Sequence, residues 1–278
     1  MRVFSKWKTT QKVEKEFLKS LDVIVKLFVK IANNSDGDVE KYRRQMNNFQ
    51  NSYQYEKYIT SIVKRMVTPI EVQNERTWRE AARKSTRGRF LYNILMEELK
   101  QGTGLRIQDQ VIENAALIRT LPNDVANKVT KNIAEQTLKG ERASTIARMI
   151  SSETDKHASA SARLIARTEV SKTTTALTKA RSEELDIRWY VWRTALDGDR
   201  VRKSHRLMED VLVSWNDPPA PEELVGEPSA GHYHAGNIWN CRCYPEPLID
   251  VDLVKWPHKV YHNGVITRMN KGDFLKII

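Results

Sequence analysis

Apolar residues recur along the first two-thirds of the chain at steps of three and four, the spacing that places them on one side of a helix. Phe17, Leu21, Ile24, Phe28 and Ile31 form the first such stripe. Asn33-Asn34-Ser35-Asp36-Gly37 then breaks it with turn formers. Tyr42, Met46, Phe49 and Tyr53 begin a second stripe that Ile59, Ile62, Val63 and Met66 continue, so one helix is expected over 38–68. Pro69 disfavours helix at Thr68 and predicts a stop or kink there. Further helices are expected over 70–100, 105–120, 123–139, 144–153 and 158–185, with Gly140 closing the third of these.

The pattern changes near Arg188. Arg188-Trp189-Tyr190-Val191-Trp192-Arg193 is rich in strand formers. Asp197-Gly198-Asp199 reads as a turn, and Asp199 as the cap of a short helix carrying Arg200, Arg202 and His205. Residues 214–240 are rich in Pro, Gly, Asn and His and read as a long loop with little apolar content to hold it. Asn263-Gly264 stands between two β-prone runs, 259–262 and 265–268, and predicts a hairpin because both residues tolerate positive φ. The expected fold is a mainly α N-terminal region followed by a small α+β domain, divided as 1–157 and 158–278.

Charge sharpens this division. Of the net +11, residues 1–100 hold 21 Lys/Arg against 12 Asp/Glu, while 188–278 is balanced. The densest basic run is Arg76, Arg79, Arg83, Lys84, Arg87 and Arg89, several of them three or four residues apart. A polyanion such as double-stranded DNA is the partner that such a surface suits, through sequence-independent phosphate contacts. The alternative is a solvated helical face. Met1 is followed by a mixed charged segment, and the apolar stretch 21–31 is interrupted by Asp22, Lys26 and Lys30. The expectation is a protein that starts in a cytoplasm, with neither a secretory signal nor a membrane span.

Cys241 and Cys243 are the two cysteines, and one intervening residue makes a bond between them strained. With His205, His232 and His234 they give five metal-ligating side chains in under forty residues, the donor types that zinc favours. His205, Cys241 and Cys243 would be the core of a zinc site, and His232 or His234 its fourth ligand. The spacing matches no common zinc-finger pattern. The other reading is a buried hydrogen-bond network of His205, Asn240 and Arg242, with the cysteines packed as small apolar groups. No Gly-x-Ser-x-Gly, P-loop, dinucleotide fingerprint or H-E-x-x-H occurs, and nothing in the sequence asks for an enzyme.

Several of these pieces stand in a recognisable order. Arg167-Thr168-Glu169 lies in the last long helix, Trp192 in a strand, and Asp199-Arg200-Val201-Arg202-Lys203-Ser204-His205 follows. Pro228 and Gly231 lie in the loop, and Asn240-Cys241-Arg242-Cys243 closes it. In this combination the segment from Ala162 to Pro247 resembles the phage Mu F-like minor head, or head morphogenesis, proteins. Met208-Glu209-Asp210 departs from the Gly that the family often carries after the histidine. The resemblance implies a protein of the virion interior, assembled in the host cytoplasm and present in few copies. It further implies the portal protein and the major capsid or scaffolding protein as partners, no membrane contact while in the head, and, for some members, DNA binding or ejection with the DNA. The expectation is a minor head protein without enzymatic activity, whose basic region 1–157 lies near portal, capsid and DNA. Its rivals are a metal-dependent nuclease or other hydrolase built on His205 and the C-x-C segment, and a structural portal connector with no affinity for DNA.

Overall fold

The computed structural model describes residues 7–8, 11–85, 93, 103–138, 141–195 and 201–278. These form helices α1 (Gln11–Asn33), α2 (Val39–Gln50), α3 (Tyr53–Lys84), α4 (Thr103–Arg119), α5 (Leu121–Leu138) and α6 (Ala143–Glu184). Strands β1 (Trp189–Arg193) and β2 (Val211–Ser214) flank the short helix α7 (Lys203–Met208). After β3 (Tyr244–Pro247) come β4 (His258–His262), β5 (Val265–Met269) and α8 (Lys271–Phe274). The protein is thus helical first, with a small mixed α+β part at its C-terminal end. Among the described residues, no helix is long and apolar enough to cross a membrane.

Three boundaries differ from the sequence expectation, each for a local reason. The helix expected over 38–68 breaks at Asn51-Ser52, where the Ser52 hydroxyl accepts from the Tyr55 amide at 3.3 Å and starts α3. The break resets the apolar face, and Tyr53, expected on the stripe, is 72% exposed. Pro69 does not end a helix: α3 runs through it to Lys84, with the Thr68 hydroxyl bonded back to the Lys64 carbonyl at 3.0 Å. The expected helices 144–153 and 158–185 are one element, α6, because Thr154-Asp155-Lys156-His157 contains no breaker strong enough to separate them. The end of the helix expected over 70–100 and the turn at Asp197-Gly198-Asp199 lie outside the described residues.

The chain divides into two units. One comprises Gln11–Thr68 and Asp109–Glu169, the other Met1–Thr10, Pro69–Gln108 and Val170–Ile278. In the first, Phe17, Leu21, Ile24 and Phe28 of α1 are buried, as are Tyr42 and Met46 of α2 and Ile59, Ile62, Val63 and Met66 of α3. Val125, Val129 and Ile133 of α5 are also buried, and α2 packs on α5. Tyr42 and Thr154 share a buried hydrogen bond of 2.8 Å. Gly37 closes the α1–α2 turn with φ of 84°, and a Cβ there would lie 2.4 Å from the Ala143 carbonyl oxygen.

The second unit is organised by a five-stranded mixed sheet in the order β3-β1-β2-β4-β5. β2 and β4 pair in parallel and the other neighbours are antiparallel. Alternation of side chains gives the sheet two apolar faces. Tyr190, Trp192, Val211, Val213 and Tyr261 face one core; Trp189, Val191, Leu212 and Val260 face another that Phe274 of α8 completes. The β4–β5 hairpin turns on Asn263-Gly264, with φ of 52° and 80°, as expected.

Candidate functional site

The first face of the sheet carries the chemistry. The long segment after β2 is not held for want of apolar side chains, as the sequence suggested: Trp215, Tyr233, Ala235 and Ile238 all pack into this core beside Cys241 and Cys243. The segment is also anchored to α6. The Thr175 hydroxyl donates to the Ala235 carbonyl at 2.7 Å, and Gly236, at φ of 83°, lets the backbone pass close to the same helix. Asn240 takes the left-handed conformation, φ 56°, which an Asn tolerates better than most residues and which turns the chain so that both following cysteines enter the core.

Helix α7 brings His205 to meet them. The ring is 3% exposed, and its Nδ1 lies 3.5 Å from Cys241 Sγ and 3.4 Å from Cys243 Sγ. The Cys243 amide donates to Cys241 Sγ at 3.3 Å, so the C-x-C turn folds around one sulfur. Both thiols are free and buried. Hydrogen bonding from Cys243 holds the Cys241 thiol well below its usual range, against burial. The same bond, with burial, raises Cys243 well above it. The first proton of the pair therefore leaves readily and the second does not.

On its far side the imidazole is held by residues that the sequence reading did not single out. His205 Nε2 lies 3.0 Å from the Tyr233 hydroxyl, which donates to both carboxylate oxygens of Glu222 at 2.7 Å. Ser204 adds a 3.3 Å hydrogen bond to Glu222. Burial, then the Glu222 carboxylate, pushes the Tyr233 phenol far above its ordinary range, so its proton stays on the oxygen. With that proton committed to Glu222, the Tyr233 oxygen accepts from Nε2–H. In the neutral ring this leaves the Nδ1 lone pair facing the two sulfurs. Trp192 stacks edge-on to His205 at 5.7 Å, and its buried indole N–H has no hydrogen-bond partner among the described residues.

Among the described residues, His205, Cys241 and Cys243 form a group whose ligand atoms all lie within 4.8 Å of one another. His232 and His234 stand outside it. His232 is exposed, with Nδ1 2.9 Å from the Pro218 carbonyl oxygen. His234 is buried between aromatic rings, 5.0 Å from Trp215 and 5.7 Å from Tyr190, with Nδ1 3.2 Å from the Tyr190 hydroxyl. Of the residues expected in a network with His205, Asn240 is exposed and Arg242 half-buried, and Tyr233 and Glu222 hold the imidazole on its Nε2 side. Arg202 reaches the same loop from the start of α7, donating to the Trp239 carbonyl at 3.0 Å and lying over its ring. Asp199 and Arg200 lie outside the described residues. Thr168 and Glu169 are buried in α6, and Arg167 lies 3.6 Å from Glu14.

A second polar group lines a cavity of about 740 Å³ bordered by Trp7, Leu248 and Pro257. There Arg193 bridges Glu246 at 2.5 Å and Asp210 at 2.6 Å. No spacing in the sequence pointed to this cluster, because its members come from β1, the α7–β2 turn and β3.

Burial, and to a smaller degree Lys179, pushes the His234 pKa down to about 4. The unfolded chain takes up this proton near the ordinary 6.5, the folded chain only near 4, so between those values the unfolded state holds more protons. Stability is therefore expected to fall as pH drops through that window, by on the order of 3 kcal/mol by pH 4. Denaturation followed by tryptophan fluorescence should show the slope in the wild type and its loss in His234→Gln; equal slopes in the two proteins would refute the assignment.

The candidate site lies inside a segment with known counterparts. Residues 123–245 match the family described as Phage Mu protein F like protein. The match begins well before Ala162 and takes in α5, all of α6 and the elements through the C-x-C turn. An uncharacterised protein of Haemophilus influenzae is 31% identical over 137 residues, 49% of this chain and 28% of that protein. The chain thus spans less than a third of the length of this relative. No solved structure matches the chain. The matched segment carries the Arg202–His205 and Asn240–Cys243 pieces that meet around the buried imidazole, and over that segment the chain is similar to the phage Mu F-like family.

Proposed function

We propose that this chain is a minor head protein of a tailed bacteriophage, acting in head morphogenesis at the portal vertex and contacting packaged DNA without sequence preference. The observation that carries the reading is the family match over 123–245. In this reading the protein assembles in the host cytoplasm against the portal and the capsid or scaffolding protein, and resides inside the head. Its role is architectural. His205, Cys241 and Cys243 are each no more than 4% exposed, so a phosphodiester has no path to them, which weighs against the hydrolase alternative. The reading is tested in purified virions: the chain should be present at low copy before DNA release. Absence from virions would overturn it, and loss from the particle on ejection would extend it to co-ejection.

The DNA contact rests on the basic surplus of residues 1–100 and on α3. Arg76, Arg83 and Lys84 are exposed there, but Arg76 pairs with Glu80 at 3.4 Å and Arg79 with Glu75, so part of the charge is matched on its own helix. Arg87 and Arg89 lie outside the described residues. Replacing Arg76, Arg83 and Lys84 with Gln should weaken binding equally on unrelated duplexes. It should also flatten the dependence of log K on log salt by roughly 2–3 if each side chain meets a phosphate. Unchanged affinity and slope would assign these side chains to a protein interface or to solubility, and a wild-type chain that binds no duplex would leave a structural connector without DNA affinity.

A further inference from the structure

The group around His205 has a geometry that a hydrogen-bond network does not require and a metal does. Two sulfurs approach one nitrogen, Nδ1, at 3.5 and 3.4 Å. A tetrahedral zinc with Zn–S near 2.3 Å and Zn–N near 2.0–2.1 Å sets its ligand nitrogen and sulfur roughly 3.5–3.6 Å apart. The observed separations are those of ligands around a common centre. A single thiol–imidazole hydrogen bond does not require the second sulfur to stand equally near the same nitrogen.

The surroundings agree with that reading. The Tyr233–Glu222 pair fixes the proton on Nε2 and turns the Nδ1 lone pair toward the sulfurs, the arrangement in which a carboxylate, here through a phenol, orients a ligating histidine. The Cys243 amide donates to Cys241 Sγ at 3.3 Å. A donor turned toward sulfur balances part of the negative charge that thiolates bring to a metal. Around them lie Met208, Val211 and Ile238, an apolar shell that limits solvent access to the group.

We propose that His205 Nδ1, Cys241 Sγ and Cys243 Sγ bind one zinc ion, with Tyr233 and Glu222 setting the histidine, and with a water or other small ligand in the fourth position. The ion ties the end of the 215–243 segment to α7, joining the two halves of the motif across the sheet face. This inference goes beyond the head-assembly reading and does not depend on it. Thiolate and imidazole donors together exclude magnesium and calcium, which require oxygen.

The test uses the full chain, purified in the presence of zinc and desalted. About one zinc per chain is expected by elemental analysis. A strong chelator should remove it and lower the melting temperature by roughly ten degrees or more, and added zinc should restore both. Cobalt in its place should give the intense visible bands of a tetrahedral site and the near-ultraviolet sulfur-to-metal transition. Cys241→Ser and Cys243→Ser should each abolish stoichiometric binding. Since either variant could fail to fold, Tyr233→Phe supplies an independent arm: it keeps all three ligands and should weaken zinc about 10- to 100-fold in competition with a chromophoric chelator. A folded wild-type chain that takes up no zinc, or whose melting is indifferent to chelation, overturns the proposal. So does zinc binding that survives the loss of both cysteines.

Discussion

Gly236→Ala should destabilise the sheet-bearing unit by about 2–5 kcal/mol, the larger effect among the substitutions considered. Two costs combine. At φ of 83° a side chain meets the left-handed penalty of about 1–2 kcal/mol. The new Cβ would also sit 2.6 Å from Thr175 Oγ1, 2.7 Å from the Cys243 carbonyl oxygen and 3.0 Å from Ser171 Oγ. Thr175 cannot turn aside without breaking its bond to Ala235, and the Cys243 carbonyl belongs to the C-x-C turn. Relief must therefore come from moving the segment off α6, which would pull the cysteines from His205. Gly226 and Gly231 separate the two costs: both have positive φ, but a Cβ at either meets nothing within 4 Å. Alanine at those positions should lose only the backbone part, about 1–2 kcal/mol. Equal losses at all three sites in urea denaturation would show that the close approach of Gly236 carries no energy.

Asn74→Leu should cost about 2–4 kcal/mol, for a different reason. Asn74, in α3, accepts from the guanidinium of Arg181, which is 1% exposed, and donates to Thr178 at 2.8 Å. Leucine would fill the space and withdraw an acceptor from a buried charge. Adding Arg181→Met removes that charge. The double variant should then lose less than the two single losses summed, the mark of groups acting through each other. Strict additivity in a double-mutant cycle would overturn the coupling.

Helical periodicity was readable where apolar side chains sit on one side of a single helix. Phe17, Leu21, Ile24 and Phe28 needed no tertiary information. It misled at Pro69 and across 154–157, because helix propensity is a weak preference and neighbouring packing overrides one missing hydrogen bond. β3 was missed for the opposite reason. Tyr244-Pro245-Glu246-Pro247 contains two prolines, which a central strand does not accept, and it pairs only as the sheet's edge beside β1. In the site, the ligand-type residues were visible as letters, but their choice was not. His205 and His234 have the same side chain; one is aimed at two sulfurs and the other is wedged among rings. Tyr233 and Glu222 carried no signal at all, since a tyrosine and a glutamate in a loop become partners of a histidine only once the chain is folded.

The division of the chain into discontinuous units has a consequence for its synthesis. Lys8 donates to the Ala195 carbonyl, a partner 187 residues later. At about 5–20 residues per second, a ribosome delivers that partner roughly ten to forty seconds after the lysine. Over that interval the helices already made can form, but Trp7 and Trp78 wait with their apolar surfaces uncovered until Leu185 and Ile187 arrive to complete their cluster. The sheet comes later still, because its edge strand β5 (Val265–Met269) is the last of the five strands to be made. A nascent chain of this order gains little by folding the sheet-bearing unit piecemeal and is exposed to chaperones and to its own copies until the sheet has emerged.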